Sequence, residues 1–567
     1  MTLCPVQRAW PLVLLSLLLA LPQASALARG PGATAAVASA HPLATGVGEE
    51  VLAAGGNAFD AAVAVSAALA VVEPYSSGMG GGGFWLLHRA SDGLEVVVDG
   101  REVAPLRATA TMYLDPDGKP VPDASLVGAK AAAIPGAPAA LVWIAARYGR
   151  LPLARCLAPA IRYARNGFHV DARYLEMARS RDLSLKREQE AAAIFLAQGA
   201  SPEPGFRLRQ PALANTLESI ADRGHAGFYG GPVAAELVRA VQAGGGIWTL
   251  EDLQRYRIEE RAPQKIRYFD ATITTAPLPS SGGLTLAQAL NILRHVPMAN
   301  ADEDARAHLI VEALRRGYQD RARYLGDPAF VAVPSDQLAS DAYAAERAAS
   351  IRLDRATPSS ELDLRGTATT GGASTTHFSI VDAEGNRVAA TLTINTPFGS
   401  GFVAGATGVL LNNEMDDFAI APGVSNAYRL VGGAANAIAP GKRPLSSMSP
   451  TFVEDERGVL VLGTPGGSRI ISMVLLATLD YLRNPDWTLD NMVAAPRFHH
   501  QFLPDRVEIE PEGFSETWRQ ALERRGHTVT VARRRWGNVQ VVHVDRKTGH
   551  ARAASDPRGL VGETAWF

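Results

Sequence analysis

The 567-residue chain is 47% hydrophobic and 20% charged, and its 55 basic against 57 acidic side chains leave a formal net charge of -2. That balance argues against a nucleic-acid or anionic-membrane binder, while the length allows a sizeable core or several domains. The sharpest basic run, Arg533–Arg535, lies among β-type residues and reads as a solvated strand end.

The chain begins with Arg8, the apolar run "AWPLVLLSLLLAL" and small residues at Ala24-Ser25-Ala26 or Ala26-Leu27-Ala28. These are the three parts of a secretory signal peptide, expected over residues 1–28; the run is too short for a confident membrane span. The mature protein is expected outside the cytoplasm, periplasmic or secreted, with no membrane span. Cys4 would leave with the signal, so the one remaining cysteine, Cys156, leaves no internal disulfide. The chain has no Asn-x-Ser/Thr sequon, which leans toward a bacterial exported protein.

After a glycine-alanine leader, "AFDAAVAVSAALAVVEP" (58–74) predicts a buried alanine-rich helix, and residues 84–104 predict a hairpin around a Ser-Asp-Gly turn. Residues 78–83 match G-x-G-x-x-G, but a helix precedes and a strand follows. A dinucleotide site needs the reverse order, so close backbone packing is the preferred reading. From about 133 to 350 the pattern is mostly helical. "TATTGGAS" (367–374) then forms a small-residue linker before the strands "THFSIVD" and "RVAATLTIN". Further on come "GVLVLGTPGG" entering a glycine turn, the helix "SRIISMVLLATLDYLR", and the strands "RVEIEP", "TVTVAR" and "VQVVHVD".

Several chemistries lack their residues. His499 and His500 are adjacent and point apart, no His-Glu-x-x-His or cysteine pair occurs, and no G-x-S-x-G elbow is present. No metal site is expected. What remains is Thr375 behind Gly-Gly-Ala-Ser. A threonine hydroxyl needs a base, and a freed α-amine, with a reference pKa of about 7.7 to 8.0, supplies one once cleavage makes that threonine a chain terminus. The small residues before it would let Thr375 Oγ attack the Ser374 carbonyl. An ordinary edge strand remains open beside that reading.

The segments "TTHFSIVDAEGNRVAATLTINTPFGSG", "LLNNEMDDF", "KRPLSSMSPT", "GTPGGSRI" and "APRFHHQFLPD", with "GGNAFDAAVAVSAALAV", "DGRE" and "YLGDPAF" upstream, resemble in order and spacing the γ-glutamyltransferases, N-terminal nucleophile hydrolases made as one precursor. The resemblance covers nearly the whole mature chain. It implies an α+β fold, a four-layer αββα sandwich whose two sheets take strands from both halves. It also implies a large subunit of residues 29–374 and a small catalytic subunit of residues 375–567, divided at Ser374-Thr375. Thr375 would be nucleophile and self-cleavage agent, with Thr393 beside it; strand alternation permits Thr391, Thr393 and Asn395 one face. By the same resemblance Arg101, with Ser446 and Ser447, would hold the substrate carboxylate; Asn395, Glu414 and Asp417 the ammonium; Gly466 and Gly467 the oxyanion. Tyr428 would gate the pocket from a lid loop.

The implied reaction takes the γ-glutamyl group of glutathione or related amides to amino acids, peptides or water, with no cofactor. Glu414 stands where some members have glutamine, and "EPYSSGMGGGGF" replaces a more common His-Pro-containing version. Two alternatives stand beside this reading. One is a glutaryl-type cephalosporin acylase of the same family; the other is a non-catalytic exported protein that binds γ-glutamyl peptides.

Overall fold

The computed structural model describes residues 1, 32–362, 374–421 and 423–567. The signal-peptide features between Arg8 and Ala28, and the linker before Ser374, lie outside the described residues.

Two antiparallel sheets stack face to face. The first, seven-stranded, runs in the order Glu563–Trp566, Ala36–Ser39, Thr376–Val381, Arg387–Thr393, Gly82–Arg89, Leu94–Gly100, Glu259–Arg261. The second, six-stranded, runs Ala551–Ser555, Gln540–Asp545, Gly458–Gly463, Thr451–Glu454, Ala271–Thr275, Gln264–Tyr268. Each sheet contains strands from both sides of Ser374-Thr375, so the fold is intertwined about that bond.

Helices cover both outer faces. Ala58–Val72 packs on the first sheet and is buried along its whole length, which is why it is apolar on every side. Its start is fixed by a capping box, in which the Asn57 side chain accepts from the Asp60 N–H and Asp60 accepts from the Asn57 N–H. Ser281–Arg294 and Arg469–Arg483 cover the second sheet, and Glu303–Tyr324 packs on Ser281–Arg294. The result is the expected four-layer αββα sandwich.

Strand alternation divides the residues after Ser374. Phe378 and Ile380 join the core beneath the helices, whereas His377 and Ser379 face the second sheet, where Ser379 Oγ donates to the Gln540 carbonyl. The helical middle also contains Glu259–Arg261, Gln264–Tyr268 and Ala271–Thr275, and short strands lie at both ends of the chain. These were not evident in the residue pattern, because segments of three to five residues take their conformation from the strands they pair with.

The glycine run proves to be a packing device. A Cβ on Gly81 would lie 2.1 Å from the Thr393 carbonyl oxygen, and one on Gly83 would lie 2.6 Å from that of Thr391. Only glycines let strand Gly82–Arg89 and the turn before it come this close to Arg387–Thr393.

Candidate active site

Strand register builds the site. Leu392 pairs with Thr376 and Thr391 with His377, so the next position places Thr393 opposite Thr375. Both side chains then face the gap between the sheets. Thr375 is buried, and its Oγ1 donates to the Ser374 carbonyl oxygen at 2.6 Å and lies 3.4 Å from Thr393 Oγ1. Thr393 Oγ1 lies 3.4 Å from the same carbonyl oxygen and accepts the Asn395 N–H at 2.7 Å. The Ser374 carbonyl therefore receives two hydroxyls, while the Ser374 hydroxyl is held by the Tyr75 carbonyl.

Among the described residues no titratable side chain hydrogen-bonds to Thr375 Oγ1. The nearest imidazole in sequence, His377, is committed to Thr391 Oγ1 at 2.8 Å and Ser379 Oγ at 3.2 Å, and burial pushes it down to about 3, so it is neutral.

A small inner cavity of about 20 Å³ brings Thr375, Thr393, Asn395, Arg101 and Asp417 together. Tyr428, Ser446, Ser447 and Gly467 also line it. Asn395 reaches it by a turn and not by strand alternation. The strand ends at Thr393 and Asn395 sits at φ +75, its Nδ2 donating to the Asn413 carbonyl.

Arg101 is buried among opposite charges. It donates to Glu414 at 2.7 Å and to Asp417 at 2.5 Å, and its Nε donates to the Pro444 carbonyl at 3.1 Å. Burial alone would lower its pKa; Glu414 and Asp417 outweigh that and raise it. Burial raises Glu414 well above the usual carboxylate range despite Arg101, and raises Glu102 to about 7. Two buried acceptors, Asn395 Oδ1 and Glu414 Oε1, have no donor among the described residues. A buried polar atom without a partner costs about 1–3 kcal/mol, so both suit a ligand donor.

The strand Gly458–Gly463 leads into Gly466 at φ +149 and Gly467 at φ +58, just before helix Arg469–Arg483. Among the described residues neither glycine N–H is spent on a backbone acceptor. A Cβ on Gly467 would lie 2.2 Å from the Tyr428 ring, whose hydroxyl is held by the Asn395 carbonyl. Gly466 lines an outer cavity of about 640 Å³ that also reaches Thr375.

Ser446 Oγ accepts the Met448 N–H at 3.1 Å, and Ser447 Oγ lies 3.5 Å from an Nη of Arg321. Arg321 was missed by sequence reasoning. It is buried, lines the inner cavity, donates to Ser281 Oγ at 3.0 Å and has no ion pair among the described residues. Burial, reinforced by Arg101, lowers its pKa. The only signal was the arginine density of helix Glu303–Tyr324, which a propensity reading places in solvent.

Elsewhere, His308, Glu312 and His527 lie close enough to share a cation, but Arg315 and Arg316 already hold Glu312. His499 and His500 are buried and hydrogen-bonded to Ser472, Gln501 and Asp505.

A stacked two-sheet sandwich between helical layers, with a buried threonine that has no side-chain base at the head of a central strand, defines the class of N-terminal nucleophile hydrolases. Within that class the chain belongs to the gamma-glutamyltranspeptidase family, whose model matches residues 44–566. It is 43% identical over 539 residues to a glutathione hydrolase proenzyme of Escherichia coli K12, covering 94% of this chain and 91% of that one. The structure resembles a cephalosporin acylase from Bacillus halodurans with a TM-score of 0.81 at 28% identity, covering 96% and 98% of the two chains. It also resembles Helicobacter pylori gamma-glutamyltranspeptidase, with a TM-score of 0.55 at 37% identity, covering 57% of this chain and 93% of that one.

Proposed function

We propose that this protein is an exported γ-glutamyltransferase and glutathione hydrolase, made as a precursor that divides at Ser374-Thr375 into chains of residues 29–374 and 375–567. The observation that carries the mechanism is the company of Thr375 Oγ1: a carbonyl and a second hydroxyl, with no side-chain base. In the precursor Thr375 Oγ attacks the Ser374 carbonyl carbon, the peptide nitrogen leaves as an amine, and water hydrolyses the resulting ester. The amine so freed is the missing base.

In the mature enzyme that amine takes the Thr375 hydroxyl proton as Oγ attacks the γ-carbonyl. The Gly466 and Gly467 N–H groups receive the oxyanion. The proton passes to the departing amine, leaving a γ-glutamyl ester on Thr375. Water then releases glutamate, or an amino acid or peptide amine forms a new γ-glutamyl amide. Arg101 and Arg321, with Ser446 and Ser447, take the α-carboxylate. Asn395, Glu414 and Asp417 take the ammonium, and Tyr428 closes over both. No step calls for a cofactor. Among the described residues no helix is long and apolar enough to cross a membrane.

The glutaryl-acylase alternative has the Bacillus halodurans neighbour in its favour. Against it stand Asp417 and the two undonated acceptors, Asn395 Oδ1 and Glu414 Oε1, which a ligand without an ammonium would leave unsatisfied. Two measurements test the proposal. N-terminal sequencing of purified fragments should find Thr375 first and a Thr375→Ala variant should stay whole; cleavage in that variant refutes the mechanism. Hydrolysis of γ-glutamyl over glutaryl anilides should be strongly favoured, and the reverse preference refutes the substrate.

A further inference from the structure

Outside Thr375 lies the cavity of about 640 Å³, whose wall carries eight arginines and two glutamates. Arg535 donates to the Ala494 carbonyl, and four more of those arginines are ion-paired within the protein: Arg173 and Arg534 share Glu176, Arg469 pairs with Glu508, and Arg558 with Glu510. Arg429, Arg506 and Arg533 are not; their side chains have no ion pair or hydrogen bond among the described residues. Arg429 and Arg506 also share a side cavity with Gly466 and Tyr428, at the turn beside the nucleophile. Arg429 is held at φ +64, an uncommon backbone state for a residue with a long side chain. Trp536 lies on the same wall, and its buried indole N–H has no acceptor. The run Arg533–Arg535, which reads in sequence as a solvated strand end, does follow a strand ending at Val531 and is exposed, but it opens onto the nucleophile.

Uncommitted guanidinium groups in a recess next to a reacting bond select an anion on the part of the substrate that extends into the recess. The inner cavity takes the γ-glutamyl end, so the outer one takes what lies beyond the scissile amide. We propose that the outer cavity is a leaving-group subsite in which Arg429, Arg506 and Arg533 bind the carboxylate of an amino-acid or peptide amine. The preferred donors are then γ-glutamyl amides whose leaving amine is itself anionic, and uncharged amines are poorer partners. This rests on the γ-glutamyl reading above.

The test uses the mature two-chain enzyme and two chromogenic donors, γ-glutamyl-4-nitroanilide and γ-glutamyl-3-carboxy-4-nitroanilide, read as the ratio of their kcat/KM values. The ratio is independent of how much of a preparation is folded. It should favour the carboxylated donor at low salt and fall as ionic strength rises. In an Arg506→Ala, Arg533→Ala double variant it should drop by roughly fivefold or more, the range of partly exposed charge pairs. Arg506→Lys should retain part of the preference. A ratio that neither salt nor the double variant changes overturns the subsite while leaving the γ-glutamyl reading intact. Failure to turn over the uncharged donor as well, by a preparation whose fragment begins at Thr375, overturns both.

Discussion

Thr393→Val is the sharpest probe of how the precursor divides. Valine keeps the β-branched shape, so strand Arg387–Thr393 and its pairing with Thr376–Val381 are preserved. What disappears is one hydroxyl with two uses. It accepts the buried Asn395 N–H at 2.7 Å, and losing that acceptor should cost about 1–3 kcal/mol of folding stability. It also faces the Ser374 carbonyl oxygen at 3.4 Å. A well-placed donor to a developing oxyanion contributes about 2.7–4 kcal/mol. At 3.4 Å the contact is longer than an ordinary O–H···O bond, so about half of that is expected, roughly 1.4–2 kcal/mol, or about 10- to 30-fold slower cleavage. The assay follows freshly purified precursor on denaturing gels over time, with denaturant midpoints measured in parallel to separate stability from rate. Thr393→Ser restores the hydroxyl and should cleave within a few-fold of the parent. A valine variant that divides at the parental rate would refute the claim that this hydroxyl polarises the carbonyl, and so would a serine variant as slow as valine.

Gly467→Ala places a methyl within 2.2 Å of the Tyr428 ring at a residue with φ +58; kcat/KM should fall at least about tenfold and stability by about 1–2 kcal/mol, as read from anilide hydrolysis and unfolding curves. Arg321→Met removes a buried cation that has no carboxylate partner, so KM for γ-glutamyl donors should rise by about tenfold or more while maturation continues; an unchanged KM would exclude it from carboxylate binding. Glu312 gives a pH signature: burial alone would raise its pKa, but Arg315 and Arg316 hold it at about 2 against an ordinary 4.5. Its contribution, roughly 3 kcal/mol, is present above pH 4.5 and is lost as pH falls through 2, so Glu312→Gln should destabilise the protein at neutral pH and flatten the acid limb of its stability profile.

The strand that follows Thr375 was legible because its signals are local. Two β-branched runs flank the Asp-Ala-Glu-Gly-Asn turn, and the observed register sets Thr393 opposite Thr375. The pocket was less so. A resemblance can assign Arg101 to a carboxylate, but it cannot reveal that the same side chain is engaged by Glu414 and Asp417, residues more than 300 positions away. Arg321 was hidden for a related reason. Helix Glu303–Tyr324 carries many charges and reads as solvent-exposed, yet it is buried from Ala307 to Ala322. Glu312 answers Arg315 and Arg316, whereas Arg321 has only hydroxyls. Burial set by tertiary packing leaves no trace in helical periodicity when the buried face is itself charged.

That arrangement gives the pocket its own logic of selection. At about 20 Å³ the inner cavity has room for about one water, so on the proposed binding mode a γ-glutamyl group enters only as Arg101 gives ground to it and Tyr428 moves aside. Parting Arg101 from Asp417 exposes opposite charges in a buried site, a step that is costly when the newcomer supplies one charge and tolerable when it supplies both. A carboxylate alone would satisfy Arg101 and Arg321 yet leave Glu414 Oε1 and Asn395 Oδ1 without a donor and part Asp417 Oδ2 from Arg101, with only Asn426 Nδ2 still donating to that carboxylate. Sites whose buried polar groups are left unpaired by a near-cognate ligand reject it far more strongly than apolar pockets reject a missing methylene. On that binding mode, discrimination follows from how the charges pair in the ligand-free protein, and not from the size of the cavity they enclose.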